Sequence, residues 1–316
     1  MPRVCQNLRG ASGNGILCYM TPLASLWACW VLSALFPLGA AYSVRNMHPV
    51  TLAWVIAVSG FAWFLPGIIR KNSMREFFRW ELIPSLFMVG FCGSAMTALM
   101  FSTALQYTTP ANAGILAQVE VVYSLLLSRI FLREKLTGVK ITGAVLVISG
   151  TLLVALKERF SPRWTGDLLV LCAPWLYQIS HVYAKKLPKQ LTPDFIAAAR
   201  MLYSALSLTP IAACLWLLRR GAADYNPAVP PQTLIAAVLT GLLLSGLSAL
   251  LWYRAIRSME LSKATVIILS YPVLTFLVSA GTGMEKVHLY QLGGLACALL
   301  GAYLVSGAVK EAAHAQ

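Results

Sequence analysis

Long apolar stretches alternate with short polar connections along almost the whole chain. A helix needs about 20 apolar residues to cross roughly 30 Å of hydrocarbon, and ten stretches approach or exceed that length. We call them the first to tenth segments, with approximate limits 22–43, 49–69, 82–105, 110–131, 136–156, 167–184, 193–218, 232–253, 261–282 and 287–307. The pattern predicts an all-α integral membrane protein with ten transmembrane helices.

The second half of the chain repeats the first. A shift of 151 residues superimposes about sixty positions without a gap. The matched pairs include Gly90 with Gly241, Ser94 with Ser245, Glu134 with Glu285, and Gly143 with Gly294. Because each half holds five segments, the second copy is expected to lie inverted relative to the first. We predict one five-helix repeat over 1–157 and its inverted counterpart over 158–316, with a substrate site at their interface near the middle of the membrane.

Composition supports this class of protein. Hydrophobic residues make up 58% of the chain and charged residues 11%, with a mean hydropathy of +0.71, whereas soluble domains carry about 25% charged residues. The net charge of +14 is spread over short clusters between apolar segments, so membrane lipid and not nucleic acid is the expected partner.

The same clusters predict the orientation. With the N-terminus inside, 17 lysines and arginines fall on inner connections and 7 on outer ones. This bias predicts that both termini are cytoplasmic. The short connections favour a multi-pass protein of a bacterial inner membrane.

Motifs for other chemistry are missing from the sequence. The seven cysteines form no CxxC pair, and the chain lacks a phosphate-binding GxxxxGK[ST], an HExxH and a GxSxG. We therefore predict no metal, no cofactor and no enzymatic activity. Gradient-driven exchange or facilitated diffusion would then supply the driving force.

Two charged residues fall inside segments. Glu120 lies midway along the fourth segment and Arg200 lies within the seventh. A charge at such depth costs roughly 3 kcal/mol or more unless it is paired, and it commonly marks a transport pathway. Two interpretations remain open: Glu120 binds a cationic group or a proton, or it forms a static ion pair with Arg200.

Polar stripes at helical spacing run along four segments. Their members are Pro174, Tyr177, Gln178 and His181 in the sixth, Arg200, Tyr203, Ser204 and Ser207 in the seventh, Ser245, Ser248 and Trp252 in the eighth, and Ser94, Thr97 and Phe101 in the third. Polar groups facing lipid are costly, so the stripes face one another or a wet cavity. For Ser and Thr alone, hydrogen bonds between helices are the simpler explanation.

The candidate substrate-binding residues come from these stripes and from nearby aromatic side chains. They are Glu120, Tyr123, Tyr177, Gln178, His181, Arg200, Tyr203, Trp252 and Tyr271. Tyr123 lies one turn after Glu120, and Tyr271 occupies the position equivalent to Glu120 in the second repeat. Glu120 and His181 are the candidates for proton coupling, since histidine titrates near neutral pH. An apolar pocket with a few polar groups suits a small amphipathic metabolite.

The stretch from Ala111 to Leu153 carries a distinctive pattern, ANAGILAQVEVVYSLLLSRIFLREKLTGVKITGAVLVISGTLL, and the second half repeats it from Trp252 onwards. It resembles the EamA domain of the drug/metabolite transporter superfamily over nearly the whole chain. The resemblance implies ten helices and export or exchange of small metabolites such as amino acids. Many relatives have Glu-Pro in the fourth segment, whereas Val121 follows Glu120 here.

Other positions are expected to serve the scaffold. Gly143 and Gly150, like Gly294 and Gly301, lie two turns apart on one helix face and suit close helix packing or a homodimer contact. The repeated Glu134 and Glu285 are interpreted as helix-start caps. Candidate bends are Pro37, Pro66, Pro174, Pro210 and Pro272.

Taken together, the sequence predicts a secondary transporter that works by alternating access. Segments one to four and six to nine would line its central cavity. An exporter or exchanger of amino acids or related amphipathic compounds is the first hypothesis. A drug or lipid-linked sugar exporter on the same fold is the second, and an intramembrane scaffold or a membrane-embedded enzyme is the alternative outside transport.

Overall fold

A computed structural model describes residues 20–44, 46–104, 107, 116–155, 164–219, 229–281 and 289–314. Within these ranges the regular structure is entirely helical and contains no strand. The α-helices are Pro22–Val44, Pro49–Ala62, Leu65–Lys71, Ile83–Gly90, Thr97–Ala104, Val119–Phe131, Gly138–Ala155, Trp164–Lys186, Pro193–Arg219, Pro231–Leu239, Ser248–Ser258, Leu261–Ile268, Pro272–Gly281 and Leu289–His314. The predicted all-α class is confirmed.

Several of these helices can cross a membrane. Four helical stretches have the required length and hydropathy, namely Pro22–Val44, Ile83–Phe101, Pro193–Leu218 and Pro231–Ser258. The second segment is a fifth candidate, bent by 42° between Pro49–Ala62 and Leu65–Lys71. Shorter apolar helices occupy the fifth, ninth and tenth segments. The chain is a multi-pass membrane protein, and the number of ten spans stays a prediction.

A π-helical stretch interrupts the third and the eighth segments at equivalent positions. The first covers Phe91–Met96 and the second covers Thr240–Leu247, which the 151-residue shift nearly superimposes. In the third segment the Thr97 hydroxyl donates to the carbonyl of Cys92 at 2.6 Å. π-Helical turns are rare in proteins, and those that occur are often at functional sites. Because such a rare feature is found at matching positions, it supports the equivalence of the third and eighth segments in the repeat.

Glycine allows a close helix crossing in each repeat. A Cβ on Gly90 would meet the Cβ of Tyr203 and would lie 3.0 Å from the carbonyl oxygen of Arg200. A Cβ on Gly241 would meet the Ser59 hydroxyl and would lie 2.7 Å from the carbonyl oxygen of Ile56. The third segment therefore crosses the seventh as the eighth crosses the second.

The fifth and tenth segments pack on each other through their small residues. A Cβ on Gly150 would lie 2.5 Å from the carbonyl oxygen of Gly294, and one on Gly301 would lie 2.7 Å from that of Gly143. The small faces are thus covered within one chain, as the scaffold interpretation expects. A homodimer would need a different surface.

The prolines divide into two groups. Pro66 begins the second half of the bent pair, and Pro272 begins a helix after the break at residues 269–271. Pro174 and Pro210 lie inside helices that continue without a break, as does Pro37. Of the five candidate bends, Pro66 and Pro272 therefore lie at breaks between helices, whereas the other three prolines lie within unbroken helices.

Candidate functional site

The Glu120 carboxylate is held by the sixth segment. Its Oε1 accepts a hydrogen bond from Nε2 of Gln178 at 2.8 Å. Gln178 is fully buried, and its own Oε1 has no hydrogen-bond partner. Glu120 lies in the first turn of the helix Val119–Phe131, and its side chain is only partly buried. A partly accessible carboxylate held by an amide is suited to bind a cationic group or a proton.

The Arg200 guanidinium is held by the third segment. Its Nε donates to the Ser94 hydroxyl and its Nη2 to the carbonyl of Gly93, both at 2.7 Å. Both partners belong to the π-helical stretch Phe91–Met96. The guanidinium also lies 5.0 Å from the centre of the Tyr177 ring. The hydroxyl groups of Tyr177 and Tyr253 also interact with it. A guanidinium has five N–H donors, so exchange of a tyrosine contact for a substrate carboxylate would keep those donors bonded.

Glu120 and Arg200 do not form an ion pair, so this alternative from the sequence is wrong in this conformation. The carboxylate bonds to Gln178 and the guanidinium bonds to Ser94 and Gly93. Helical spacing gives the face on which a residue lies, but not which neighbour comes within bonding distance. Tyr177 contacts the Arg200 guanidinium, and the adjacent Gln178 contacts the Glu120 carboxylate. The positive and the negative group therefore both lie beside the polar stripe of the sixth segment, without bonding to each other.

His181 lies next to this stripe, enclosed by aromatic rings. Its ring centre is 4.4 Å from that of Tyr177 and 5.0 Å from that of Trp252. The indole Nε1 of Trp252 donates to Nδ1 of His181 at 3.3 Å. Since an indole N–H is a donor only, Nδ1 carries no proton and the neutral ring holds its proton on Nε2. That Nε2 is buried without a hydrogen-bond partner.

The remaining three candidates lie at the edges of the cluster. Tyr203 is committed elsewhere, because its hydroxyl donates to the carbonyl of Phe77 at 2.7 Å. Tyr123 packs edge-on against Trp175 with the ring centres 5.1 Å apart. Tyr271 is half-buried at the break in the ninth segment and interacts electrostatically with Glu120. Its place on the polar stripe of the seventh segment made Tyr203 a candidate for substrate binding. Its hydroxyl instead bonds to Phe77, in the connection between the second and third segments.

Residues outside the predicted set complete the site. The Gly93 carbonyl and the Ser94 hydroxyl orient Arg200, and Trp30 donates to the Ser270 hydroxyl at 2.9 Å, next to Tyr271. Ser94 belongs to the polar stripe of the third segment, so the sequence contained its signal. The Gly93 carbonyl had none, since no side-chain pattern reveals which backbone oxygen a π-helical turn leaves available.

Glu134 caps a helix, as predicted, although the helix belongs to the other half of the chain. Its carboxylate accepts from the backbone N–H groups of Leu261 and Ser262 at 2.6 and 3.1 Å. Those residues begin the helix Leu261–Ile268. The repeated Glu285 lies outside the described residues.

Comparison with known families accounts for this architecture. A family described as the EamA-like transporter family matches residues 20–156 and again residues 164–307. The chain belongs to the EamA-like transporter family. The two matches divide it into a first and a second EamA-like repeat, with Glu120 and Arg200 in different repeats.

Relatives of this EamA-like chain are named as transporters. An uncharacterized transporter of Archaeoglobus fulgidus is 25% identical over 84% of this chain and 91% of its own length. The uncharacterized transporter YyaM of Bacillus subtilis is 22% identical over 86% of this chain and 88% of its own. A probable terminal-alkyne amino-acid exporter of Streptantibioticus cattleyicolor is 23% identical over 76% and 74%.

The fold also matches a solved structure. A crystal structure superimposes with a TM-score of 0.77 over 92% of this EamA-like chain and 98% of the other, at 16% sequence identity. At that identity the match establishes the fold alone. Family and relatives together identify a membrane transporter of the drug/metabolite type.

Proposed function

We propose that this protein is a secondary transporter that exports or exchanges small amino-acid-like metabolites by alternating access. In this proposal the two EamA-like repeats are inverted, both termini are cytoplasmic, and the membrane is a bacterial inner membrane. The repeats rock against each other around a site that both of them line.

The separated charges of Glu120 and Arg200 support the substrate class. An α-amino acid carries an ammonium and a carboxylate on the same carbon atom. The partly accessible Glu120 carboxylate is suited to the ammonium, and the N–H donors of Arg200 that do not bond to Ser94 and Gly93 are suited to the substrate carboxylate. An ion pair between the two residues would cancel both functions, whereas Gln178 and Ser94 orient each one separately.

Aromatic side chains beside the charges would bind the apolar part of the substrate. The Tyr177 ring contacts both the Arg200 guanidinium and the His181 ring, and Trp252 also contacts the His181 ring. Sites for small ligands commonly combine such apolar walls with a few polar groups. The relative named as a probable terminal-alkyne amino-acid exporter agrees with this class of substrate.

We assign proton coupling to Glu120. A carboxylate that binds a proton and an ammonium in alternation exchanges one for the other during the cycle. His181 is the second candidate from the sequence, but protonation of its Nδ1 would break the bond from Trp252 and would bring a positive charge towards Arg200. We therefore assign His181 the role of a neutral hydrogen-bond donor through Nε2.

Replacement of Glu120 by Gln tests the proposal. We expect Glu120→Gln to abolish export and its dependence on pH, because the amide can neither bind an ammonium strongly nor exchange a proton. The measurement is untargeted metabolite profiling of medium and cytosol from expressing cells. Uptake of the metabolite so identified into proteoliposomes across a range of pH then measures the coupling.

Glu81→Gln is the matched control. Its side chain is 77% exposed and forms an exposed ion pair with Arg79, so export should be unchanged. Equal export by wild type and Glu120→Gln would contradict the role of Glu120. A moved compound without an amino group would favour the drug or lipid-linked sugar hypothesis. No difference from empty cells, at verified membrane expression, would contradict transport of any metabolite.

A further inference from the structure

A second cluster of charges lies at the end of the bundle that is predicted to be cytoplasmic. Its members are Glu134, Lys140, Lys185, Glu260, Ser262 and Lys263, and we call it the inner cluster. Lys140 is 1% exposed and Glu134 is 8% exposed. A lysine and a glutamate are almost never buried to this extent without partners, so the geometry around them is informative.

Glu134 and Lys140 are the buried centre of the inner cluster. Nζ of Lys140 donates to the carbonyl of Lys135 at 2.7 Å and lies 3.2 Å from Oε1 of Glu260. It is also 3.8 Å from the Glu134 carboxylate. That carboxylate accepts from the hydroxyl and the backbone N–H of Ser262. Every oxygen of this buried carboxylate is therefore bonded.

Lys185 adds the sixth segment to the inner cluster. Its Nζ donates to the carbonyl of Met259 at 2.6 Å and lies 3.7 Å from the Glu134 carboxylate. Lys185 follows His181 by one helical turn on the same helix. A displacement of the sixth segment at the substrate site would therefore pull directly on the inner cluster.

The inner cluster joins the two repeats to each other. Glu134 and Lys140 belong to the first EamA-like match, while Lys185, Glu260 and Ser262 belong to the second. The contacts connect the junction of the fourth and fifth segments with the end of the sixth and the start of the ninth. Alternating access between two repeats requires such a connection to separate whenever the site opens to that side.

The repeat pairs the residues of the inner cluster with positions predicted to lie at the opposite end of the helix bundle, and those positions lack the lysines. The 151-residue shift pairs Glu134 with Glu285, but it pairs Lys140 with Gln291. The shift of 145 residues that matches Trp30 with Trp175 pairs Lys185 with Ala40. The positions equivalent to the inner cluster therefore keep the glutamate, as Glu285, and lack both lysines, which are replaced by Gln291 in the second repeat and Ala40 in the first.

We propose that the inner cluster is the cytoplasmic gate of the transporter, and that Lys140 and Lys185 bias the resting protein towards the outward-facing state. This inference rests on the proposed function, because a gate has meaning only for a protein that alternates. Lys140 and Lys185 are then functional residues that touch no substrate and determine which side the site faces.

The charge state of Glu260 agrees with this role. Burial alone would raise the pKa of Glu260, but hydrogen bonds from Lys263 and Lys140 lower that pKa below its ordinary value. The carboxylate is therefore ionised at neutral pH. Its contribution to the closed gate is complete above the ordinary carboxyl pKa, and it is lost as the pH falls through the lowered pKa.

Lys140→Gln tests the proposal, because it gives the first repeat the residue found at the equivalent position of the second. Ser180→Cys provides a nearly isosteric reporter in the sixth segment, next to His181 and packed against Gly93. Ser180 is fully buried in this conformation. The measurement is the labelling rate of that cysteine by a membrane-impermeant maleimide, in inside-out and in right-side-out vesicles. The same proteins without Ser180→Cys give the background of the native cysteines.

We expect Lys140→Gln to raise the labelling rate from the cytoplasmic side about tenfold, as suits the loss of one charged bond from the closed form. Labelling from the outer side should fall. Lys135→Gln is the matched control, since that side chain is exposed, and it should leave both rates unchanged. If Lys140→Gln fails to fold, Ser262→Ala removes one bond from Glu134 without a change of charge and should shift the rates in the same direction by about threefold.

The outcomes separate the gate from the transport function, because the labelling needs no substrate. Unchanged rates in a folded Lys140→Gln protein would overturn the gate. Increased labelling from both sides would also overturn it, since the inner cluster would then be a structural seal. A reporter that no variant exposes to either side would contradict alternating access itself, and with it the proposed function.

Discussion

The crossing of the third and seventh segments and the crossing of the eighth and second segments share a close glycine contact but differ in side chains. Gly90 lies against the carbonyl of Arg200 in the first crossing, and Gly241 lies against that of Ile56 in the second. The 144-residue shift that pairs Pro66 with Pro210 also pairs Ile56 with Arg200. A buried cation thus lies at one crossing where the other has an alkyl side chain.

The features that the two repeats share thus belong to the scaffold, whereas the charged side chains of the candidate site occur where the two repeats differ. The glycine contacts and the π-helical stretches are shared because both crossings need the same close approach. Arg200 and Glu120 have no charged counterpart, since their equivalents are Ile56 and Tyr271. Each charge costs several kcal/mol at membrane depth unless it is solvated or bonded, so its presence in one copy alone supports the roles proposed for Arg200 and Glu120.

Arg200→Ile makes the two crossings alike and should have the largest effect. It removes hydrogen bonds to Ser94 and Gly93, each worth about 1.5–3 kcal/mol for a charged donor. With about 1.4 kcal/mol per factor of ten, we expect transport to fall by about 100-fold or more. Uptake into proteoliposomes measures it, with size-exclusion chromatography to verify folding.

Ile56→Leu at the equivalent position is the control for Arg200→Ile, and it should retain transport within about twofold, since it conserves volume and polarity. If Arg200→Ile itself transported at nearly the wild-type rate, the guanidinium would serve only to pack the two helices.

Gly90→Ala and Gly241→Ala test the shared part of the comparison. A methyl group at Gly90 would lie 2.9 Å from the backbone nitrogen of Ser204, and one at Gly241 would lie 2.7 Å from the carbonyl oxygen of Ile56. Both obstacles are backbone atoms that cannot rotate away. We expect each change to lower the free energy of unfolding by about 1–3 kcal/mol, measured as a lower Tm by intrinsic fluorescence.

Gly67→Ala is the matched control for the glycine changes, because a Cβ at Gly67 meets nothing within 4 Å. Its Tm should be unchanged or slightly higher, since alanine favours a helix more than glycine does. An unchanged Tm in only one of the two crossing variants would show that the crossings differ in packing as well as in charge.

Trp252→Phe should have the smallest effect of the three. It removes the N–H that fixes the proton on Nε2 of His181, and it gives the eighth segment the residue found at its counterpart Phe101. Loss of one neutral hydrogen bond is worth about 1 kcal/mol, so we expect KM for the transported compound to rise about fivefold with little change in kcat.

Trp80→Phe is the control for that change, because Trp80 is 86% exposed, and its KM should not move. A KM unchanged in Trp252→Phe would mean that the tautomer of His181 does not matter for binding. A fall in kcat alone would indicate an effect on the conformational cycle.

The repeat made much of the fold predictable from the sequence. The two-turn spacing of Gly143 and Gly150, repeated at Gly294 and Gly301, predicted a close helix contact. Gly90 and Gly241 were matched only as equivalent positions of the repeat, and their contacts became visible in the structure. The spacing could not reveal which helices meet there. Gly143 proved to face the tenth segment of the same chain and not a second molecule, because a small-residue face looks the same whichever partner covers it.

The set of candidate site residues stays a prediction, whereas the contacts among them can be compared with the structure. Gln178 and Glu120 were identified on polar stripes and do bond to each other. The Glu120–Arg200 pair was wrong because depth and face do not determine distance. The Glu134 cap was right in kind, yet its partner lies 127 residues away, which local sequence cannot indicate.

The close packing of the fifth segment on the tenth also bears on the origin of the chain. Small residues that let two backbones touch are a common means by which separate polypeptides associate within a bilayer. Gly143 and Gly150 meet Gly301 and Gly294, which are their own copies, so this is a contact of one sequence with itself. A half-length chain bearing this face would therefore be able to pair with a second copy of itself through the contacts that now join the two halves.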